Sequence, residues 1–153
     1  MSATEKKHPS TFEDLKVYQV AREFRKEMYR VARRLPEMEK FGLASQIRRA
    51  AVSLTNNIAE GHGRYHYLDQ IKFSLQARGS LEELIDDLNV CVDEKYLSIE
   101  ETGSLKEDSW RVRQLIDGYI RYLREQKKAA DSSVRESAVY GALVADNDSQ
   151  FSI

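Results

Sequence analysis

The chain has 153 residues, of which 32% are charged and 41% hydrophobic, and its formal net charge is −1 at pH 7. This length predicts a single domain with its own core, and the near-neutral charge argues against a dedicated nucleic-acid binder with a long-range basic field. No apolar run approaches the ~18 residues of a membrane span, and neither a signal peptide nor an internal disulfide is predicted, so we expect a cytoplasmic protein without membrane contact.

The low count of seven Gly and two Pro leaves little turn chemistry, which predicts long helices. Residues 1–11 are expected to form a flexible arm. The first helix should run from about Glu13 to Leu35, with Ser10 and Glu13 as its capping box and Pro36 as its stop. Its apolar residues form a stripe with a second flank beside it, comprising Leu15, Tyr18, Ala21, Met28, Val31 and Leu35, and then Val17, Val20 and Phe24.

Apolar residues at intervals of three and four predict two further helices. The second should cover residues 40–60 and end at Gly61 and Gly63, because Gly tolerates the left-handed conformation of a C-terminal cap. The third should cover residues 66–95. Residues 79–109 carry ten Asp and Glu against two Lys, so we expect this acidic segment to meet the basic ones.

The fourth helix is expected over residues 99–127, with Ser98 and Glu101 as its capping box. Residues 12–128 then form an all-α, up-down-up-down antiparallel four-helix bundle. Residues 129–153 lack a continuous helical stripe and are predicted to be a flexible tail, either disordered or docked on a neighbouring subunit through its apolar segments.

Several segments in this order and spacing resemble the 23S rRNA-intervening sequence protein family: Phe12-Glu-Asp-Leu15, Pro36, Phe41-Gly-Leu43, Gln46-Ile-Arg-Arg-Ala-Ala-Val-Ser53, Asn57-Ile-Ala-Glu-Gly61 and Gly79-Ser-Leu-Glu-Glu-Leu84. The resemblance implies a homopentameric ring of four-helix bundles with no established enzymatic activity. The family also looks related to accessory proteins of diversity-generating retroelements, which bind nucleic acid and a reverse transcriptase. Those relatives are strongly basic, whereas this chain is near neutral.

Helix two carries many polar residues beside its apolar stripe. If it turns into helix three near residues 62–66, Arg48 and Arg49 lie level with Gly79 and Ser80, which predicts an internal network of Arg and Glu side chains. Its expected members, with nearby hydrogen-bonding groups, are Gln46, Arg48, Arg49, Asn57, Glu60, Ser80, Glu82, Glu83 and Arg113. The alternatives are exposure of the arginines to RNA phosphates or a subunit contact. The network predicts that Arg49→Ala lowers thermal stability and Arg25→Ala does not.

Helix one carries a basic stripe that is interrupted by Glu23 and Glu27. A solvated face is one interpretation, and phosphate contact is the other. The candidate nucleic-acid contacts are Arg22, Arg25, Lys26, Arg30, Arg33 and Arg34.

Catalytic and metal-binding chemistry is not indicated. His62 and His66 are spaced i, i+4, but the glycines around His62 argue against a continuous helix through it. Cys91 lies in the apolar stripe of helix three and is expected in the core. We therefore expect no enzyme, no metal and no cofactor. The predicted function is a ring-shaped scaffold that presents a basic patch to RNA or to a nucleic-acid-processing protein, and the alternative is a purely structural or protein-adapter oligomer.

Overall fold

The computed structural model describes residues 10–150, with side chains to residue 145. Its helices are α1 (Lys16–Arg34), α2 (Leu43–His62), α3 (Tyr67–Asp93) and α4 (Ile99–Gln150), with short 3-10 turns at Phe12–Asp14 and Glu37–Glu39. This part of the chain contains no strand, so the predicted all-α four-helix bundle is confirmed. None of its helices combines the length and apolarity needed to cross a bilayer. The predicted arm at residues 1–11 falls almost entirely outside the described residues.

Each helix packs against the next one in the chain, and α4 returns to pack against α1. The core therefore lies along the axis shared by all four helices. Large aliphatic side chains dominate it, and burying each contributes about 1.5–3 kcal/mol. The largest that are at most 2% exposed are Met28, Ile47, Leu54, Ile58, Leu81, Leu84, Leu88, Ile116 and Leu123.

The start of α1 differs from the prediction. Thr11, rather than Ser10, is the capping residue: its hydroxyl accepts from the Glu13 N–H at 3.3 Å, and the Asp14 carboxylate accepts from the Thr11 N–H at 3.0 Å. These bonds cap a separate 3-10 turn, and α1 follows after an extended Leu15. The predicted box of Ser10 with Glu13 is thus displaced by one residue, because Asp14 is placed to close the turn and Glu13 points to solvent.

The glycines at the end of α2 do not act as left-handed caps. Gly61 lies inside the helix and is buried, and a Cβ added there would lie 2.8 Å from the Cβ of Phe73. Gly63 follows the helix in a right-handed conformation with φ of −78°. Gly61 is therefore required for the close approach of α2 to α3. At the end of α3, the left-handed residue is Lys95, with φ of 61°.

The predicted end of the fourth helix near Lys127 is wrong for the described residues, because α4 continues to Gln150. The sequence after Lys127 contains Ala, Glu and Arg, which sustain helix without a core stripe, and Lys127 pairs with Asp131 one turn later at 2.7 Å. Every side chain from 128 to 145 is exposed. At the other end of α4, Ser98 accepts from the Glu101 N–H at 3.1 Å, as its predicted cap requires.

Candidate functional site

A hydrogen-bonded group of small polar residues joins α2 to α3. The hydroxyls of Ser53 and Ser80 lie 2.8 Å apart, and Asn57 donates its amide N–H groups to the Ser53 carbonyl at 2.9 Å and hydroxyl at 3.1 Å. Asn57 and Ser80 are thus linked as part of one network, through a serine that sequence reasoning did not place in it. The sequence signal that could have found Ser53 is its small polar side chain four residues before Asn57, on the same face of α2.

Two predicted members of the network have carboxylate–cation contacts of their own. Glu82 pairs with Arg113 of α4 at 3.1 Å, and both side chains are roughly half exposed. Glu60 pairs with Arg64 at 2.7 Å and does not bond Asn57. Because these pairs are solvated, each is worth about 0–1 kcal/mol to the fold.

The arginines of α2 do not complete the predicted lattice. Arg48 donates to the Lys40 carbonyl at 3.2 Å, and Arg49 is exposed. Within residues 10–145, neither forms an ion pair with the carboxylates of α3. The predicted register places Arg49 level with Ser80, but Ser80 bonds Ser53, one turn further along α2. The two helices are therefore offset by about one turn from the predicted register.

A polar groove of about 520 Å³ runs between α2 and α3. Its floor contains Asp87, which is 8% exposed and to which no hydrogen bond or ion pair is made in the described part of the chain. Desolvation, followed by repulsion from Glu83 and Asp86, raises the pKa of Asp87 to about 6. Sequence reasoning missed this carboxylate, which is one of ten acidic residues between 79 and 109. The residues lining the groove are Gln46, Arg49, Ala50, Ser53, Ser80, Glu83, Asp86 and Asp87.

Half of the basic stripe of α1 is paired with carboxylates of the chain itself. Three of its six members form ion pairs: Lys26 with Glu23 at 3.0 Å, Arg30 with Glu27, and Arg34 with Glu101. Arg34 donates a second bond to Glu101 at 3.1 Å and lowers the pKa of that carboxyl. These pairings reduce the positive field that the stripe presents to solvent.

Arg25 is not a free member of this stripe. Its guanidinium donates to the hydroxyl of Thr55 at 2.8 Å, and Thr55 is 1% exposed. Arg22 and Arg33 are exposed and, among the residues with described side chains, have no ion pair. A groove of about 430 Å³ nevertheless gathers most of the basic stripe beside one aromatic ring, and it is lined by Arg25, Lys26, Tyr29, Arg30, Arg33 and Val52.

The side chains that most often bind metal ions do not converge in the part of the chain that the structure describes. Across the described residues, no group of three His, Cys, Asp or Glu side chains is placed to hold a metal ion. Cys91 is fully buried in the core as predicted, and desolvation, with Asp87 and Glu39 nearby, raises the pKa of its thiol to about 11. The thiol is therefore protonated at neutral pH and is a poor nucleophile.

The profile of the 23S rRNA-intervening sequence proteins matches residues 13–118. The chain belongs to this family. The match covers α1, α2, α3 and the part of α4 up to Gly118. The segment shared with the 23S rRNA-intervening sequence family therefore contains most of the bundle. The exposed extension of α4 lies beyond the matched segment.

A solved structure with the same fold is a protein of unknown function from the S23 ribosomal protein family of Bacteroides thetaiotaomicron. Its TM-score is 0.64 and its identity 24%, and the alignment covers 69% of this chain and 95% of that one. At this identity, the likeness shows a shared fold. No functionally curated protein matches the sequence.

Proposed function

We propose that this member of the 23S rRNA-intervening sequence family is a non-enzymatic scaffold whose copies assemble through the outer face of α4. The proposal rests on an apolar surface of α4 that is exposed to solvent in the described part of the chain. Val139, Tyr140 and Leu143 are 61%, 72% and 61% exposed. Their spacing places them on one side of the helix, where an exposed apolar stripe is typical of an interface.

The part of α4 that belongs to the bundle also carries exposed aromatic side chains. Tyr122 is 53% exposed and stacks on Tyr119 with 6.3 Å between ring centroids, and Trp110 is 51% exposed. The second apolar flank of α1, in contrast, supplies core residues, since Val17 and Phe24 are 5% and 2% exposed. We therefore place the contact on α4, where the exposed apolar side chains are most numerous, although Phe41, Tyr65 and Leu68 are exposed elsewhere. We further propose five copies in a closed ring, as the family resemblance implies.

Two double variants test this role of α4. In Tyr140→Glu with Leu143→Glu, two charges enter the proposed contact, and we expect the oligomer to dissociate. Ala138→Glu with Ala145→Glu adds the same charges on the opposite side of the helix. This control should keep the wild-type mass in size-exclusion chromatography with light scattering. Equal masses for the two variants would contradict the assignment of the contact to this face.

A second candidate function, presentation of RNA or of a nucleic-acid-processing protein on the ring, is favoured by the basic groove beside Tyr29. Phosphate binding would show an affinity that falls log-linearly with salt concentration. We expect Arg30→Ala with Arg33→Ala to weaken binding of a single-stranded RNA and to reduce the salt slope, whereas Arg124→Ala on α4 should not. If the protein binds no RNA at low salt, the purely structural or protein-adapter role remains as the proposed function.

A further inference from the structure

Asp87 is a buried acidic residue of α3 to which no described residue donates a hydrogen bond. The residue is 8% exposed, its carboxylate lines the α2–α3 groove, and no donor of the described residues reaches it. Burying a charged group without a partner is costly, and such groups are ordinarily paired or bound to a ligand. Within residues 10–145 no cation is bonded to Asp87, and Ser53 and Ser80 beside it are bonded to one another.

The residues around Asp87 define the charge of a fitting ligand. Glu83 and Asp86 line the same groove and follow the spacing that places residues on one face of α3. Arg49 lines the groove as well, so three carboxylates face one guanidinium. The groove therefore carries a net negative charge and complements a cation.

The geometry of the carboxylates also limits the kind of cation. Within residues 10–145, no set of three acidic side chains converges closely enough to hold a metal ion. The groove instead has a volume of about 520 Å³ and offers Gln46 and Ser53 as further hydrogen-bonding groups. An elongated cation with several N–H donors satisfies separated carboxylates better than a point charge does.

We propose that the α2–α3 groove binds an organic cation through Asp87, Asp86 and Glu83, with a guanidinium or primary ammonium group seated on Asp87. This chemistry is shared by a small amine and by an Arg or Lys side chain of a partner protein. The inference is independent of assembly through α4, because it concerns a different surface.

The test measures binding to the full-length protein by isothermal titration calorimetry at low salt, with agmatine and with a tetra-arginine peptide as the two probes. Saturable binding of either probe to the wild type is expected, and the tighter probe distinguishes a small amine from a protein side chain. Asp87→Asn should weaken binding about tenfold or more, since the neutral amide loses a charge-assisted hydrogen bond. Arg49→Ala should tighten binding, because it removes the cation that lines the groove.

A matched control separates the groove from the general acidity of the surface. Glu107→Gln removes one negative charge from an exposed position on α4, outside the groove, and should bind like the wild type. Circular dichroism of each variant confirms that the bundle is intact. The proposal is overturned if the wild type binds neither probe, or if Asp87→Asn and Glu107→Gln weaken binding equally.

Discussion

Arg25 connects α1 to α2 through the buried hydroxyl of Thr55. The same hydroxyl donates to the Val52 carbonyl at 3.3 Å, so removing the guanidinium leaves it with one partner instead of two. Arg49, on the next helix, has no comparable contact among the described residues and is exposed. At the residue scale, the arginine that stabilises the fold is therefore the one that the sequence assigned to solvent.

We expect Arg25→Ala to lower the free energy of unfolding by about 1–2 kcal/mol, through the lost hydrogen bond and the packing of its stem. Arg49→Ala should change it by no more than about 0.5 kcal/mol. Urea denaturation followed by circular dichroism measures both. This ranking reverses the one predicted from the sequence. A larger loss of unfolding free energy for Arg49→Ala than for Arg25→Ala would support the predicted internal network of Arg and Glu side chains.

Asp87 makes stability depend on pH. Burial raises its pKa from 3.8 to about 6, so the folded state holds the proton more tightly than the unfolded chain does. The contribution of this group to stability is therefore fully present below pH 4 and is lost as the pH rises through about 6, so that the ionised carboxylate is a cost to stability at pH 7.

Asp87→Asn removes that cost, because its amide stays neutral at every pH. The variant should melt at a higher temperature than the wild type at pH 7.5, and the difference should shrink as the pH falls to about 4. Thermal melts at both pH values, with Glu107→Gln as the control, measure this change. A destabilised Asp87→Asn at pH 7.5 would mean that the carboxylate is paired in solution.

At the scale of elements, the contact between α2 and α3 depends on one small residue. Gly61→Ala places a Cβ 2.8 Å from that of Phe73, so the helices must separate, and we expect a loss of about 1–3 kcal/mol. Gly79→Ala is the matched control, since nothing lies within 4 Å of its added Cβ. It should stabilise helix α3 by about 0.5–1 kcal/mol. Chemical denaturation of both variants measures the difference, and equal effects would contradict a close contact at Gly61.

The helices themselves were predictable because each buries a stripe with a period near 3.6 residues, and Pro36 and Ser98 are strong signals of a helix end and start. The extension of α4 was not predictable in this way, since its side chains from 128 to 145 are exposed and form no stripe facing the core of the described residues. Apolar periodicity reports burial, and a helix that is fully exposed shows only its propensity.

The candidate sites were less predictable than the helices. The pair of Glu82 with Arg113 follows from the order of antiparallel helices and was found. The environments of Arg49 and Asp87 depend on the register of α3 along α2, which the hydrophobic pattern alone does not specify to within one turn. An offset of one helical turn between α2 and α3 changes which polar residues face each other across their interface.

In the whole molecule, the four helices bury their apolar stripes against one another, and two kinds of surface remain exposed. One is the apolar outer face of α4, and the other is the pair of charged grooves, acidic between α2 and α3 and basic beside Tyr29. A ring of copies joined through α4 would bury the apolar face and repeat both grooves around the assembly. The account therefore predicts a protein that binds through repeated charged surfaces, with assembly as the precondition.

The mass of the wild-type protein in solution shows whether the copies assemble. The monomer has a mass of 17.7 kDa, and the account predicts that light scattering at micromolar concentration gives about five times this value. Native mass spectrometry of the same sample should show one dominant species of that size. A monomeric mass at micromolar concentration would contradict the account, because the apolar face of α4 would then be stable in water without a partner.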